Sequence, residues 1–65
     1  MVGYVAKDED GSLFLYEEEP EWDDEHGMWM CINNIQITEQ SLLDKFSYLT
    51  SDDEPVPVEI KLEIL

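Results

Sequence analysis

The most regular stretch of the sequence is Val56-Pro57-Val58-Glu59-Ile60-Lys61-Leu62-Glu63-Ile64. Apolar side chains occupy every second position, and proline or charged side chains occupy the positions between them. Successive side chains of a strand point to opposite faces of a sheet, so this alternation predicts a strand with one buried and one solvated face. We expect the rest of the chain to cover that buried face.

The chain is short and strongly acidic. Its 65 residues are enough for one domain, residues 1–65, and a chain of this size buries only about 60% of the surface that it exposes when unfolded. Asp and Glu number 17 against 3 basic residues, all of them lysine, for a net charge of −14. This charge repels nucleic acid and anionic membranes and attracts basic surfaces. Direct binding to DNA or RNA is therefore not expected, because phosphate contacts need Lys and Arg.

The sequence predicts a cytoplasmic protein. No apolar run approaches the roughly 20 residues of a membrane-spanning helix. The opening Met1-Val2-Gly3-Tyr4 lacks the basic and apolar regions of a secretory signal. Cys31 is the single cysteine, so it has no partner for an internal disulfide and is compatible with a reducing compartment.

Residues 2–16 predict a β-hairpin. A short β-like run, Val2 to Lys7, is followed by Asp8-Glu9-Asp10-Gly11, and Asp-Gly is a favoured turn dipeptide because glycine tolerates a positive φ. The apolar run Ser12 to Tyr16 then reads as the returning strand.

The segment Glu17 to Glu25 carries seven carboxylates in nine residues, and Pro20 argues against a central strand there. We therefore predict an extended, solvated loop. Trp22 is a large aromatic residue within this acidic segment. Two interpretations stay open: it packs back onto the fold, or it contacts a partner. Beyond this loop, Met28 to Ile32 and Ile35 to Ile37 predict two further short strands.

A short helix is predicted over Glu39 to Phe46, with Thr38 as its N-cap, Glu39 in its first turn and Lys45 near its end. Its apolar stripe, which faces the sheet, consists of Leu42, Leu43 and Phe46. We also expect most of the other large apolar side chains in the core: Tyr4, Phe14, Tyr16, Met28, Trp29, Met30, Tyr48 and Leu49. Thr50 to Pro55 reads as a second acidic loop.

The predicted fold class is α+β. It is a small, mainly antiparallel sheet of four to five short strands with one short helix packed on one face.

A stretch near the N-terminus carries a resemblance to a protein family. Ala6-Lys7-Asp8-Glu9-Asp10-Gly11-Ser12-Leu13-Phe14-Leu15-Tyr16 resembles the A-[RK]-D-x-D-G-x-L-x-L-[FY] opening of short uncharacterised proteins of bacteria and bacteriophages. The later counterparts are Glu19-Pro20, Trp29 and the segment Asp53 to Ile60. The resemblance implies a phage or mobile-element origin. In size and charge the chain is also similar to phage-encoded anti-CRISPR and DNA-mimic inhibitors.

The acidic clusters are the candidate functional residues. Exposed carboxylates can stand in for phosphates, because same-face residues of a strand lie about 6.6 Å apart and phosphates recur about every 3.4 Å along one DNA strand. The sequence thus predicts an interaction protein that inhibits a basic nucleic-acid-binding protein, such as a CRISPR effector nuclease. The predicted partner-binding residues are Asp8, Asp10, Glu17, Glu18, Glu19, Glu21, Trp22, Asp23, Asp24, Glu25, Asp52, Asp53 and Glu54.

In an alternative interpretation, the acidic residues have no role in binding a partner. The acids then serve solubility alone, in a small structural domain that dimerises through the edge strand Val56 to Ile64. The net charge exceeds the magnitude of about 2–8 that is usual for a small soluble domain, which favours the partner hypothesis.

Catalytic and metal-binding chemistry are not expected. Asp8 to Ser12 begins like a Ca²⁺-binding loop, but Gly11 comes too early for an EF-hand, so a hairpin turn is favoured. His26 and Cys31 are too few for a zinc site, and a thiol within the apolar run is usually inert. We predict a protein that is not an enzyme and has no cofactor.

Overall fold

A computed structural model describes residues 2–59 of the chain, and these form six short strands and one short helix. In chain order the elements are β1 Val2–Lys7, β2 Leu13–Tyr16, β3 Glu21–Asp23, β4 Met28–Met30, β5 Asn34–Gln36, α1 Gln40–Lys45 and β6 Val56–Glu59. The predicted α+β class with a mainly antiparallel sheet is confirmed.

The main sheet has four antiparallel strands in the order β5-β2-β1-β6. Strands β1 and β2 form the predicted hairpin, in which Val5 faces Leu15. Gly11 in its turn has a φ of 89°, a conformation that glycine adopts without steric cost. Strand β6 pairs with β1 so that Val56 lies beside Val5. The C-terminal strand is confirmed over Val56–Glu59, and the rest of the predicted alternation lies outside the described residues.

One face of this sheet carries the hydrophobic core. Val5 and Leu13 are almost completely buried there. They pack against Phe46, the C-cap of the helix, and Leu49, which lies in the turn after it. Partly buried apolar side chains surround this cluster: Leu15, Ile37, Leu43, Val56 and Val58. Val5 and Leu15 are cross-strand partners on this face, and their alternation with Tyr4 and Tyr16 follows from the pleat of the strands.

The opposite face is covered by a second, two-stranded sheet made of β3 and β4. Ala6 and Tyr16 on this face are each 1% exposed. The Tyr16 hydroxyl donates to the backbone carbonyl of Trp29 in β4 at 3.3 Å. The main sheet therefore lies between the helical segment and the β3–β4 hairpin.

The second sheet corrects two predictions. Residues 2–59 form six strands rather than four or five, and residues 17–25 are not a loop throughout, because Glu21–Asp23 form β3. Pro20 precedes this strand, and β3 has only β4 as a neighbour among the described strands, so the proline interrupts no ladder. Strand β4 ends at Met30, so the half-buried Cys31 lies just after the strand and not within it as predicted.

The helix is shorter than predicted. It spans Gln40–Lys45, and its N-cap is Glu39, which makes no side-chain capping hydrogen bond; the prediction of Thr38 as the cap was wrong. Lys45 lies in the last turn, as predicted. Four side chains expected in the core or on the sheet-facing stripe are exposed to different degrees: Tyr48 at 65%, Met30 at 51%, Leu42 at 37% and Met28 at 36%. A six-residue helix and a three-residue strand cover too little surface to bury them.

Candidate functional site

Two acidic turns that are distant in the sequence meet at one end of the molecule. The Glu9 backbone N–H donates to the carbonyl of Gly27 at 3.1 Å, and the Glu9 carboxylate lies against the Gly27 backbone. The turn between β1 and β2 therefore lies beside residues 24–27, which connect β3 and β4. Gly27 has a φ of 63°, which suits glycine at this close approach.

Hydrogen bonds within each turn hold its carboxylates in place. Asp10 accepts the Ser12 backbone N–H at 2.8 Å, and this bond lowers the pKa of Asp10. Asp23 accepts the backbone N–H groups of Glu25 and His26, and its Oδ2 lies 2.7 Å from the His26 ring. The hydrogen bond from the His26 side chain is the main cause of the lowered pKa of Asp23. Both carboxylates are thus ionised at neutral pH.

The direction of the strands places the third acidic cluster at the same end. Strand β1 runs toward the turn at 8–12, and β6 is antiparallel to it and begins at Val56 beside Val5. The segment that enters β6 therefore lies near that turn, and Asp53 closes it by accepting the Thr50 N–H at 2.8 Å. We call the combined surface the acidic end. It consists of Glu9, Asp10, Asp23, Asp24, Glu25, Asp52, Asp53 and Glu54.

The other predicted acids do not join this surface. Three of them, Glu17, Glu18 and Glu19, are exposed and follow β2. This strand runs away from the turn at 8–12, so its C-terminal end lies at the opposite end of the sheet. The Glu17 N–H donates to the carbonyl of Asn33 at that end of the sheet. Glu21 begins β3, which runs from this residue toward the turn at residues 24–27. The structure therefore divides the segment 17–25 between two ends of the sheet.

Asp8 has a structural position rather than a surface position. It is 7% exposed, and its Oδ1 accepts the backbone N–H of Trp29 at 2.9 Å. Burial raises the pKa of Asp8 and repulsion from Asp10 adds to the increase, while the Trp29 hydrogen bond opposes both. Asp8 connects the β1–β2 turn to the second sheet, so we leave it out of the acidic end.

Trp22 packs onto the fold, which supports one of its two predicted roles. Its ring lies edge-on to the Trp29 ring, with the centroids 5.2 Å apart. Its Nε1–H donates to Asp24 Oδ1 at 2.6 Å. Trp22 is half-buried, and through Asp24 its position is coupled to the acidic end.

One group in the described chain has the composition of a cation site. Asp23, Glu25 and His26 each offer one ligand atom, and these atoms lie within 4.8 Å of one another. The same Asp23 oxygens already accept hydrogen bonds from this turn, which is sufficient reason for the three side chains to converge.

An apolar groove of about 410 Å³ lies between the sheet and the helix. Its walls include Val5, Leu15 and Phe46, with Lys45 and Glu59 among its lining residues. It continues the hydrophobic core to the surface.

Sequence reasoning missed two features. Glu9 was not singled out, although its place in the Asp8-Glu9-Asp10 run was a signal. Residues 28–38 contain no charged side chain, and large apolar groups there are exposed: Ile32 at 97% and Ile35 at 69%. That uncharged run in so acidic a chain was the available signal.

Searches of protein-family models, curated proteins and solved structures found no match to this chain. Within residues 2–59, the helix is too short and too polar to cross a membrane.

Proposed function

We propose that this protein binds a basic, nucleic-acid-binding protein through the acidic end and competes with its nucleic acid. The observation that carries the proposal is the convergence of acids from three separate segments at one end of the sheet. Glu9, which belongs to the first segment, contacts Gly27 in the second, and the strand direction brings in the segment before β6.

The negative charge of the acidic end favours binding to a positively charged partner. A surface with one sign of charge steers an oppositely charged partner and accelerates its association. The lowered pKa values of Asp10 and Asp23 keep those carboxylates charged, so they resemble phosphates in sign and hydrogen-bonding capacity. Lys7, which precedes the turn at 8–12, donates to the Phe46 carbonyl at 3.2 Å, so its ammonium group is drawn toward the backbone.

Within this proposal the partner is a host protein with a basic nucleic-acid groove, and a CRISPR effector nuclease is the specific example. The protein would act as a phage or mobile-element inhibitor in the host cytoplasm. Support comes from the small size, the net charge of −14 and the resemblance of residues 6–16 to short phage and bacterial proteins.

The competing hypothesis is that the acids serve solubility alone. It predicts that total charge matters and position does not. The two ends of the sheet provide a matched comparison, because Glu25, Asp52 and Glu54 lie at the acidic end and Glu17, Glu18 and Glu19 lie at the other. All six are exposed, and within the described residues none of their six carboxylates accepts a hydrogen bond.

The test is displacement of labelled DNA from a panel of purified CRISPR effector nucleases. We expect the wild-type protein to displace DNA from at least one nuclease at about 0.1 M NaCl and much less at about 0.5 M. Neutralising Glu25, Asp52 and Glu54 with Gln or Asn weakens displacement at least about tenfold more than neutralising Glu17, Glu18 and Glu19. Equal effects of the two triple variants would support the solubility hypothesis, and no displacement from any nuclease would reject the nuclease as the partner.

A further inference from the structure

The two edges of the main sheet differ in their capacity to accept another strand. The edge strand β6 contains Pro57, which lacks a backbone N–H, and Glu59, and both proline and charge on an edge strand oppose pairing. The other edge strand, β5, has β2 as its one neighbour among the described strands and contains neither proline nor charge.

The register shows which β5 groups face the open edge. The Ile37 N–H donates to Leu13 and the Glu17 N–H donates to Asn33, so residues 33 and 37 bond inward to β2. Hydrogen-bonded pairs alternate along an antiparallel ladder, so Ile35 also bonds inward. The N–H and C=O groups of Asn34 and Gln36 therefore point away from β2, toward solvent.

This edge lies in the segment of the chain that carries no charge. Residues 28–38 have no Asp, Glu, Lys or Arg, whereas the whole chain carries a net charge of −14. Two copies of the chain repel each other, and this segment is where they approach with the least repulsion. Exposed apolar side chains in it favour burial: Met30 at 51%, Ile32 at 97% and Ile35 at 69% exposure.

We propose that β5 is a self-association edge and that its partner is β5 of a second copy of this chain, antiparallel about a two-fold axis at Ile35. In this register Asn34 of each copy pairs with Gln36 of the other, which forms about four backbone hydrogen bonds. The two Ile35 side chains face each other as a non-hydrogen-bonded pair, the closer type of cross-strand pair. The two four-stranded sheets become one continuous sheet. This assigns dimerisation to the edge opposite the strand Val56 to Ile64, which the alternative interpretation of the sequence used.

The effect of salt distinguishes this proposal from the proposed function. Salt screens the repulsion between two acidic copies, so it strengthens the dimer, whereas it weakens binding to a basic partner. Failure of one proposal therefore leaves the other standing.

The experiment is sedimentation velocity of the full chain from about 10 μM to about 1 mM, the range in which a small interface associates. We expect dimer formation that increases with concentration and from about 0.05 to about 0.5 M NaCl. Gln36→Pro keeps the inward bonds of Ile35 and removes the outward donor, and Ile35→Glu places like charges at the axis. Each raises the dissociation constant at least about tenfold. Tyr48→Glu is the control, because it makes the same charge change at another exposed apolar residue.

Amide hydrogen exchange of the wild-type protein provides a measurement that does not depend on a variant folding. The Asn34 and Gln36 amides are expected to gain protection as concentration rises, while the amides of Glu18 and Glu19 do not change. A monomer under all conditions, a dimer unaffected in both variants, or a dimer with unprotected Asn34 and Gln36 would each overturn the proposal.

Discussion

Replacement of Asp8 tests how the β1–β2 turn is attached to the second sheet. Asp8→Ala removes the acceptor of the Trp29 N–H, which lies 2.9 Å from Oδ1 in a partly buried position. An unpaired buried N–H costs about 1–3 kcal/mol. A domain this small has about 3–5 kcal/mol of stability from its core, and each kcal/mol shifts the melting temperature by about 4–8 °C. We therefore expect melting to fall by about 4–24 °C.

Asp8→Asn separates the hydrogen bond from the charge. The amide keeps an acceptor oxygen for Trp29 and removes the charged form of residue 8, which burial disfavours and which is the reason that the pKa of Asp8 is raised. We expect its free energy of unfolding at pH 7 to be within about 1 kcal/mol of wild type, or greater. Because the folded-state pKa is above the unfolded value, the folded protein binds more protons, and Asp8's contribution to stability decreases as pH rises above its ordinary range near 3.8. Asp8→Asn lacks this decrease.

The assay is thermal and urea unfolding followed by circular dichroism between pH 3 and pH 7, with Glu18→Ala as a control that removes an exposed carboxylate. If Asp8→Ala melts at the same temperature as Glu18→Ala, the Trp29 hydrogen bond does not contribute as described. If Asp8→Asn is as unstable as Asp8→Ala, the negative charge itself is needed.

Three other predictions concern the packing of the second sheet and its turn. A double-mutant cycle of Trp22→Ala and Trp29→Ala, measured by urea unfolding, should give a coupling of about 0.5–1.5 kcal/mol from the edge-to-face ring contact; additive losses would contradict it. Burial raises the pKa of Tyr16 to about 12, so the folded state keeps its proton while the unfolded state loses it, and stability should decrease between about pH 10 and 12. Tyr16→Phe should reduce that decrease, and an unchanged alkaline slope would show another cause. Gly27→Ala should destabilise by about 1–2 kcal/mol, since φ is 63° there and the new methyl meets the Glu9 carboxylate; adding Glu9→Ala should recover part of the loss, and no recovery would rule out the steric contribution.

Local patterns predicted the parts of the fold that depend on local chemistry. The alternation at 56–59 and the Asp10-Gly11 turn were sufficient for β6 and for the β1–β2 hairpin, because strand pleating and a positive φ are properties of a few adjacent residues. The β3 strand could not be predicted in this way. The packing of Trp22 on Trp29 stabilises this acidic segment as a strand. That contact joins residues of two different strands, so the local sequence does not reveal it.

The acidic end shows the same limit for the candidate site. The sequence alone predicted acidic clusters, but residues 17–25 were predicted as one loop. The directions of β2 and β3 place residues 17–19 and residues 23–25 at different ends, and these directions cannot be inferred from the local sequence. The burial of Asp8 also depends on tertiary structure, because its hydrogen-bond donor, Trp29, is 21 residues away in the chain.

The most direct test of the acidic end as a binding surface is an NMR titration of the isotopically labelled protein with an oligoarginine peptide at about 0.1 M NaCl. If the acidic end binds cationic groups, the largest amide shift changes fall in residues 8–12, 23–27 and 50–55. Changes of equal size in residues 17–19, or changes spread evenly over residues 2–59, would contradict it.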